Sequence, residues 1–558
     1  MSELENLIHN SNTGLFEVGL SDEYWNNDSR KMKNELTSPV LDKKTLDLIE
    51  VPELFNAIDY TRSGIGKRIL WRSLIQPPTS LELIKAKQES ALEIERNSQL
   101  ENQLTHYILS LGGKEHSLIG LFYGDKPYSE TEYDRYKGAK AYFERMVDGI
   151  RNIEVETAYL KTLFNDVDEL SKTRTYDFIK GPVFSTWKGL KPGSEVGFFT
   201  PKVKFTCRHF KPTLVTLALA QFPLAVHFFN TMGGEALAAG LLFDGMFSMF
   251  AAMSIPPGFD QNCFIDPLRD MYKADENVWK GIEAAGKIDE LLSFVKYSKT
   301  LKDNYTMPTV TDRNPHYFLA ENLMNPILMD AKPKSQKSSG CGGCKGNAPS
   351  DDNEPDIPTQ FCIPNDVELN GQYLTMITGP NDGGKTTYSK TIAQIQLLAQ
   401  IGCYIPAKKA EISVADQIHY SAAIVGKLAQ RAGDYKLEMI RLRDILFNST
   451  PRSLVILNDA ITGTTTHKEG IVEYYNALDG FYAKRNNTVL VTHNLELVKK
   501  LHGEEKGKCL QVEFKEGNPT HRIIPGISEY SHASAVSKKI GMSREDIQSH
   551  LRNKGYLK

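Results

Sequence analysis

The stretch GPNDGGKTT, residues 379–387, has the residue types and spacing of a phosphate-binding loop. Gly379 is followed, after four residues, by Gly384, Lys385 and Thr386, between a predicted strand and a predicted helix. In such a loop, backbone N–H groups converge on phosphates, the lysine contacts the β/γ oxygens and the threonine hydroxyl ligates Mg²⁺. The predicted ATP-binding residues are Gly379, Pro380, Asn381, Asp382, Gly383, Gly384, Lys385, Thr386 and Thr387.

Two further apolar runs end in polar residues that could act on the same nucleotide. In LVILNDA, the four apolar residues are followed by Asn458 and Asp459, where an acidic pair that holds Mg²⁺ and activates water is expected. Asn458 offers Mg²⁺ only a neutral oxygen, and Asp459 is one methylene shorter than glutamate, so we expect binding to survive better than turnover. VTHN places His493 after another strand. We predict Thr386 and Asn458 as metal ligands, and Asp459 and His493 as catalytic residues; a structural histidine is the alternative.

The segment GDYKLEMIRLRDIL, which begins at Gly433, is a further candidate element. It predicts a polar turn that enters a helix, and the N-terminal end of that helix could receive a phosphate from across a subunit interface. An ordinary amphipathic helix fits the spacing equally well.

The scaffold that must position these loops is predicted to be an α + α/β multidomain fold. Beyond residue 361, strands and helices alternate, which is typical of a mostly parallel sheet covered by helices. Residues 45–110 and 130–173 have helical patterns, with Thr79 as a candidate cap after Pro77-Pro78.

Composition limits the protein classes that fit. The 558 residues contain 66 Lys and Arg against 69 Asp and Glu, so no global positive field indicates nucleic acid binding. Seven cysteines without framework spacing suit a reducing compartment, and the first residues carry no secretion signal. We therefore expect a cytoplasmic protein.

Residues 213–254 are apolar enough to raise the question of two membrane passes. Pro223 and His227 interrupt the first half, and Glu235 and Asp244 interrupt the second. Because such residues are unfavourable in lipid, the sequence favours a buried helical hairpin, and membrane association is the less favoured alternative.

Two other stretches each have two readings. Residues 188–211 carry basic residues interleaved with aromatics, which fits either DNA phosphate contacts or a solvated surface loop. The basic residues are Lys188, Lys191, Lys202, Lys204, Arg208 and Lys211. The motif CGGC, with Cys341 and Cys344, could bind a soft metal or form a disulfide, but the remaining ligands of a zinc site are not evident.

The order of these motifs resembles the MutS family of DNA mismatch-repair proteins. The segment LTMITGPNDGGKTTYSKTIAQIQLLAQIGCYIPAKKAEI is similar to the family's ATPase domain, GDYKLEMIRLRDIL to its signature helix, and THNLEL to its histidine switch. ITGTTT resembles the loop after Walker B, and YSHASAVSKKIGMS the closing helical segment. Upstream, Gly66 and Arg68 fit a pattern at the start of the family's helical core.

The resemblance implies a P-loop ATPase domain of the ABC type in a homodimer with composite sites, which uses ATP and Mg²⁺ and binds double-stranded DNA. The implied domains are an N-terminal extension (1–44), a helical core (45–330) with a lever- or clamp-like insertion (130–275), and the ATPase domain with a C-terminal dimerisation segment (361–558). Between them, residues 331–360 with CGGC have the Gly, Ser, Pro and charge content of a disordered linker.

The departures from the family affect the expected function. The residues before Thr45 are too few for a mismatch-reading domain, Asn458-Asp459 replaces Asp-Glu, and Gly433 stands where a serine is usual. The first expectation is an ATP-dependent clamp on mismatched or structured duplex DNA. The alternative is an ATP-switched scaffold of the same descent that acts on a protein or membrane partner without mismatch recognition.

Overall fold

The computed structural model describes residues 40–123, 132–206, 260–329, 362–380, 382–422, 431–458, 467–515, 518–528 and 541–556. The predicted linker with its CGGC motif and the apolar stretch 213–254 lie outside these residues, as do Arg208 and Lys211. Among the helices of the described ranges, none combines the length and apolar character needed to cross a bilayer.

The helices, numbered in chain order, are α1 (Lys43–Leu48), α2 (Val51–Ile58), α3 (Gly64–Ile75), α4 (Leu81–Arg96), α5 (Ser98–Tyr123), α6 (Glu132–Ile150), α7 (Ala158–Ser171), α8 (Arg174–Lys180), α9 (Asp266–Ala274), α10 (Glu276–Thr300), α11 (Lys385–Gln400), α12 (Arg431–Asn448), α13 (His467–Lys484), α14 (Leu495–Gly503) and α15 (Arg544–Asn553).

The strands are β1 (Val183–Thr186), β2 (Gly189–Pro192), β3 (Val203–Lys204), β4 (Thr309–Thr311), β5 (Phe318–Leu323), β6 (Asn365–Leu369), β7 (Leu374–Thr378), β8 (Lys409–Ser413), β9 (Ile418–Ala422), β10 (Leu454–Asn458), β11 (Asn487–Val491), β12 (Lys508–Lys515) and β13 (Asn518–Pro525). The coarse prediction of a helical part followed by a mixed α/β part is confirmed.

Helix α10 is the centre of the helical part, packed by α3, α4 and α7. Most of its residues are buried, including charged ones that pair with neighbouring helices. Glu283 contacts Arg72, and Glu290 lies 2.9 Å from Lys87. The predicted helices of this region are confirmed, but the predicted cap at Thr79 is wrong, because the Ser80 hydroxyl accepts the hydrogen bond from the Leu83 N–H.

The start of α3 is held by Asp289 of α10, whose carboxylate accepts hydrogen bonds from the backbone N–H groups of Arg62 and Ser63 and from the Ser63 hydroxyl. Asp289 is fully buried, and burial raises its pKa to about 6. Gly66 lies directly against this carboxylate: a Cβ there would lie 2.6 Å from the Asp289 Cβ. The glycine of the family-like pattern is therefore a packing requirement of the helical core.

Asp166 of α7 makes stability depend on pH. Burial raises the pKa of Asp166 to about 7, against the opposing charges of Lys287 and Lys280. Since the folded protein keeps this proton and the unfolded chain releases it near pH 4, the contribution of Asp166 to the free energy of unfolding falls as pH rises from about 4 to about 7. Above pH 7 both states are ionised and the contribution is constant.

We expect the wild type to lose on the order of 2 kcal/mol more stability over this pH interval than Asp166→Asn, which cannot ionise, because solvent screening reduces the roughly 4 kcal/mol that the full pKa shift represents. Urea unfolding of both proteins across the interval measures the difference, and other titrating groups cancel in the comparison. A difference between the two proteins that does not change with pH would contradict the prediction.

The second part of the chain is built on a six-stranded sheet in the order β13-β12-β7-β11-β10-β9. All neighbouring pairs are parallel except β12 and β13, so the predicted mostly parallel sheet is confirmed. Val491 is in register with both Ile377 and Asn458. The carboxyl ends of β7, β10 and β11 therefore meet at one edge, and the residues that end these strands lie together.

A second sheet, in the order β4-β8-β5-β6, joins strands from both sides of the predicted linker. Strands β4 and β5 precede residues 331–360, whereas β6 and β8 follow them. The N-terminal end of the described chain also reaches the larger sheet, since the Ile418 N–H donates to the Val40 carbonyl over 2.8 Å. Strand pairing and this hydrogen bond therefore connect the helical part to the α/β part.

Candidate nucleotide-binding site

The loop between β7 and α11 has the backbone of a phosphate cradle. Gly384, the residue before α11, has a φ of 85°, and Gly379 has a φ of 137°, values that side-chain-bearing residues rarely adopt. A Cβ at Gly379 or Gly383 would also lie 2.7 Å from the Val512 side chain on neighbouring β12. Glycine is required here both for backbone conformation and for the close approach of β12.

Lys385 is almost fully buried at the start of α11. Its ammonium donates hydrogen bonds to the carbonyls of Gly379 and Pro380, over 2.8 and 2.6 Å, and so holds the loop around itself. The Nε2 atom of His493, just beyond β11, lies 3.4 Å from the same ammonium. The structure therefore brings the predicted lysine and histidine together, and His493 is exposed to solvent.

Asn458 ends β10 beside the helix start, and its amide Nδ2 donates to the Thr386 hydroxyl over 3.3 Å. Its Oδ1 atom is buried and has no hydrogen-bond partner among the described residues. A buried carbonyl oxygen without a partner is costly, and it is a ligand type that Mg²⁺ or its shell water accepts. Asn458 and Thr386 therefore fit the requirement for a magnesium site, through neutral oxygens.

Several predicted residues are not tested by this geometry. Asn381 and Asp459 lie outside the described residues, and so does the whole of ITGTTT, residues 461–466. Pro380, Asp382, Gly383 and Thr387 are on the loop or in the first turn of α11, as their positions require. The prediction of a polar turn at Gly433 is wrong, because α12 already begins at Arg431 and includes it.

Next to the loop lies a cavity of about 340 Å³. Its lining comes from the loop, from α11 and from three segments that the motifs did not indicate. The lining residues are Leu323, Asn325, Leu328, Cys362, Ile363, Asn365, Asp382, Gly384, Thr386, Thr387, Tyr388, Thr391 and His521. The cavity has the volume and the mixed polar and apolar walls of a small-molecule site.

His521 is the lining residue that sequence reasoning missed. It has a φ of 59°, and a Cβ at Gly384 would lie 3.4 Å from its Nδ1 atom, so the ring stands beside the loop. Asn365 fixes this position: its Nδ2 donates to the His521 carbonyl over 3.1 Å, and its Oδ1 accepts from the Ile523 N–H over 2.7 Å. Such strain in a tightly held residue is common at ligand sites.

Helix α11 also connects the loop to the helical part. Lys390 pairs with Glu50 at 2.7 Å, Gln394 donates to the Ile49 carbonyl over 2.8 Å, and Gln400 donates to the Pro78 carbonyl over 3.2 Å. These bonds are distributed along the helix from its second turn to its last residue. A movement of α11 would therefore be transmitted directly to the segments around α2 and α4.

Comparison with known proteins matches residues 375–553 to the family model MutS domain V. The chain is 33% identical over 198 residues to DNA mismatch repair protein MutS of Carboxydothermus hydrogenoformans, covering 33% of this chain and 23% of the relative. For the protein of the same name from Parabacteroides distasonis, the identity is 31% over 274 residues, 47% of this chain and 28% of the relative. The chain thus spans about a quarter of the length of these curated relatives.

Proposed function

Because this chain belongs to the MutS family, we propose that it is an ATP-dependent switch whose nucleotide state controls the binding of mismatched or structured duplex DNA. The observation that carries the proposal is α11, which begins in the phosphate cradle and is hydrogen-bonded along its length to the helical part.

In the proposed site, the loop N–H groups and the start of α11 hold the β and γ phosphates of ATP. Lys385 supplies a cation, since its ammonium already stands inside the loop. Thr386 and Asn458 hold Mg²⁺ or a water of its shell, and the ion offsets charge on the phosphates. His493 orients the terminal phosphate, and Asp459 orients water for slow hydrolysis.

The cavity beside the loop receives the adenosine part of ATP, with the His521 ring as a stacking surface. We expect His521→Asn to weaken ATP binding about tenfold, because stacking of a base on an aromatic ring contributes about 1–3 kcal/mol. Asparagine tolerates the left-handed backbone conformation, so the change removes the ring without adding strain.

Isothermal titration calorimetry with ATP and with inorganic tripolyphosphate separates the contribution of the adenosine cavity from that of the phosphate loop. Only the affinity for ATP should fall in His521→Asn, and His502→Ala, at an exposed position of α14, serves as the control. An equal loss for both ligands would mean that His521 supports the loop rather than the base.

The proposed switch uses the connections of α11. ATP and ADP make different contacts with the loop, so exchange of one for the other can shift the position of α11. Lys390, Gln394 and Gln400 would transmit that shift to the helical part. Two copies would pack through their ATPase domains, with α12 of each directed at the other's nucleotide. The resemblance of residues 433–446 to the family's signature helix supports this arrangement.

Hydrogen–deuterium exchange with and without ATP tests this transmission. We expect slower exchange in the loop and, in addition, altered exchange in α1, α2 and the start of α4. Lys385→Ala should show neither change. Protection confined to the loop of the wild-type protein would contradict the proposed switch while leaving nucleotide binding intact.

A further inference from the structure

The small sheet in the order β2-β1-β3 and the loop between β2 and β3 carry exposed apolar side chains, which we name together the aromatic tip: Trp187, Phe198, Phe199 and Val203. Their exposed fractions are 79%, 89%, 94% and 56%. The two phenylalanine rings contact each other edge to face, with centroids 5.3 Å apart. Exposure of this extent for adjacent aromatic residues is unfavourable in water, so it indicates a surface that contacts a partner.

The aromatic tip stands on a rigid support. Thr186 pairs with Gly189 and Ser185 pairs with Val203, so the turn at Trp187 and the start of β3 lie at the same end of the sheet. At the opposite end, the buried ring of Phe205 stacks on Phe264 with centroids 4.8 Å apart. The sheet is anchored to the helical part at one end and exposes Trp187 and Val203 at the other, while Phe198 and Phe199 are exposed on the loop between β2 and β3.

Positive charge surrounds the aromatic tip. Lys188, Lys202 and Lys204 are exposed, and the Lys188 ammonium lies 4.6 Å from the centre of the Trp187 ring. The single acidic residue of the sheet region 183–206, Glu195, is already paired with Arg174 through bonds of 2.6 and 2.9 Å. Exposed aromatic residues accompanied by exposed lysines match the interface of an anionic bilayer, where aromatic rings sit among headgroups and lysines contact lipid phosphates.

We propose that the aromatic tip docks the protein on the surface of a bilayer that contains anionic lipids. The phenylalanine pair has no polar group that could hydrogen-bond to base edges or to a phosphate. It does partition readily into the boundary between lipid headgroups and acyl chains. This docking goes beyond the proposed DNA function and does not depend on it.

The test is flotation of the full-length protein with vesicles of phosphatidylcholine alone or mixed three to one with phosphatidylglycerol. The wild type should float with the mixed vesicles. The triple variant Trp187→Ser, Phe198→Ser, Phe199→Ser should bind them at least about tenfold more weakly. The control is Phe447→Ser with Tyr556→Ser, which removes two aromatics exposed to a similar degree elsewhere and should bind like the wild type.

A second readout reports the tip itself. Trp187 fluorescence should be quenched by brominated lipids, and this quenching should disappear in Trp187→Phe. Equal vesicle binding by the wild type and the triple variant would overturn the proposal. So would a triple variant that loses affinity for single-stranded or duplex DNA but keeps its vesicle binding, because the tip would then be a nucleic-acid surface.

Discussion

Lys385→Ala is expected to lower ATP affinity at least about 100-fold, or about 3 kcal/mol. The change removes a cation whose charge-assisted hydrogen bonds to phosphate are among the stronger ones that proteins make. It also removes the two bonds that now hold the carbonyls of Gly379 and Pro380, so the loop loses its internal support. Both losses weaken the binding of ATP.

Titration of a fluorescent ATP analogue measures this prediction. Lys409→Ala, an exposed lysine on β8, is the matched control and should bind like the wild type. The variant without nucleotide should still unfold in a cooperative thermal transition, even at a lowered melting temperature, which separates lost binding from lost folding. Unchanged affinity in Lys385→Ala would remove the basis of the nucleotide site.

Gly66→Ala is expected to destabilise the protein by about 3 kcal/mol. The added methyl group would lie 2.6 Å from the Asp289 Cβ and closer still to its carboxylate, and Asp289 is fully buried with no room to withdraw. Relief of the clash requires α3 and α10 to separate or Asp289 to lose its bonds to Arg62 and Ser63. Each outcome costs more than alanine gains as a better helix former.

Urea unfolding measures this prediction, with Gly113→Ala as the control. Gly113 is also inside a helix, α5, but a Cβ there has no atom within 4 Å, so alanine should be neutral or stabilise by up to about 1 kcal/mol. If both variants behaved alike, the close approach of α3 and α10 at Gly66 would not be part of the folded protein.

The sequence predicted the parts of the site that follow from local chemistry. The strand, glycine loop and helix at 374–400 were identifiable because their residue types and spacing are dictated by backbone conformation and by the phosphate. Asn458 and His493 were identifiable because the carboxyl ends of parallel strands meet at one edge. These signals are contained in short stretches of the chain.

The remaining features depend on contacts between distant residues. His521 enters the site because β13 lies at the edge of the six-stranded sheet and Asn365 holds its backbone, 156 residues away in the chain. In the second sheet, β4 and β5 pair with β8 and β6. The sequence did not predict this pairing, because the composition of residues 331–360 indicated a domain boundary between these strands. Similarly, the lysines and aromatics of residues 188–211 are evident from the sequence. Only the strand register shows that Trp187 and Val203 lie at the same end of the small sheet.

The two proposed contacts of the protein have different physical signatures. Duplex binding through phosphates should weaken steeply with salt, because each contact releases counterions. Bilayer docking through the aromatic tip should retain an apolar component at high salt. A protein that shows both would bring an ATP-controlled DNA contact to a membrane surface.

The most direct test of the central claim is fluorescence anisotropy of labelled homoduplex, mismatched duplex and four-way junction, titrated with the full-length protein. Each titration is made without nucleotide, with ADP and with ATP, at two salt concentrations. We predict salt-sensitive binding whose affinity changes between ADP and ATP, with the mismatched duplex or the junction preferred over homoduplex. Absence of binding to all three DNAs, by protein that demonstrably binds ATP, would contradict the proposed DNA switch and favour an ATP-controlled scaffold on a protein or membrane partner.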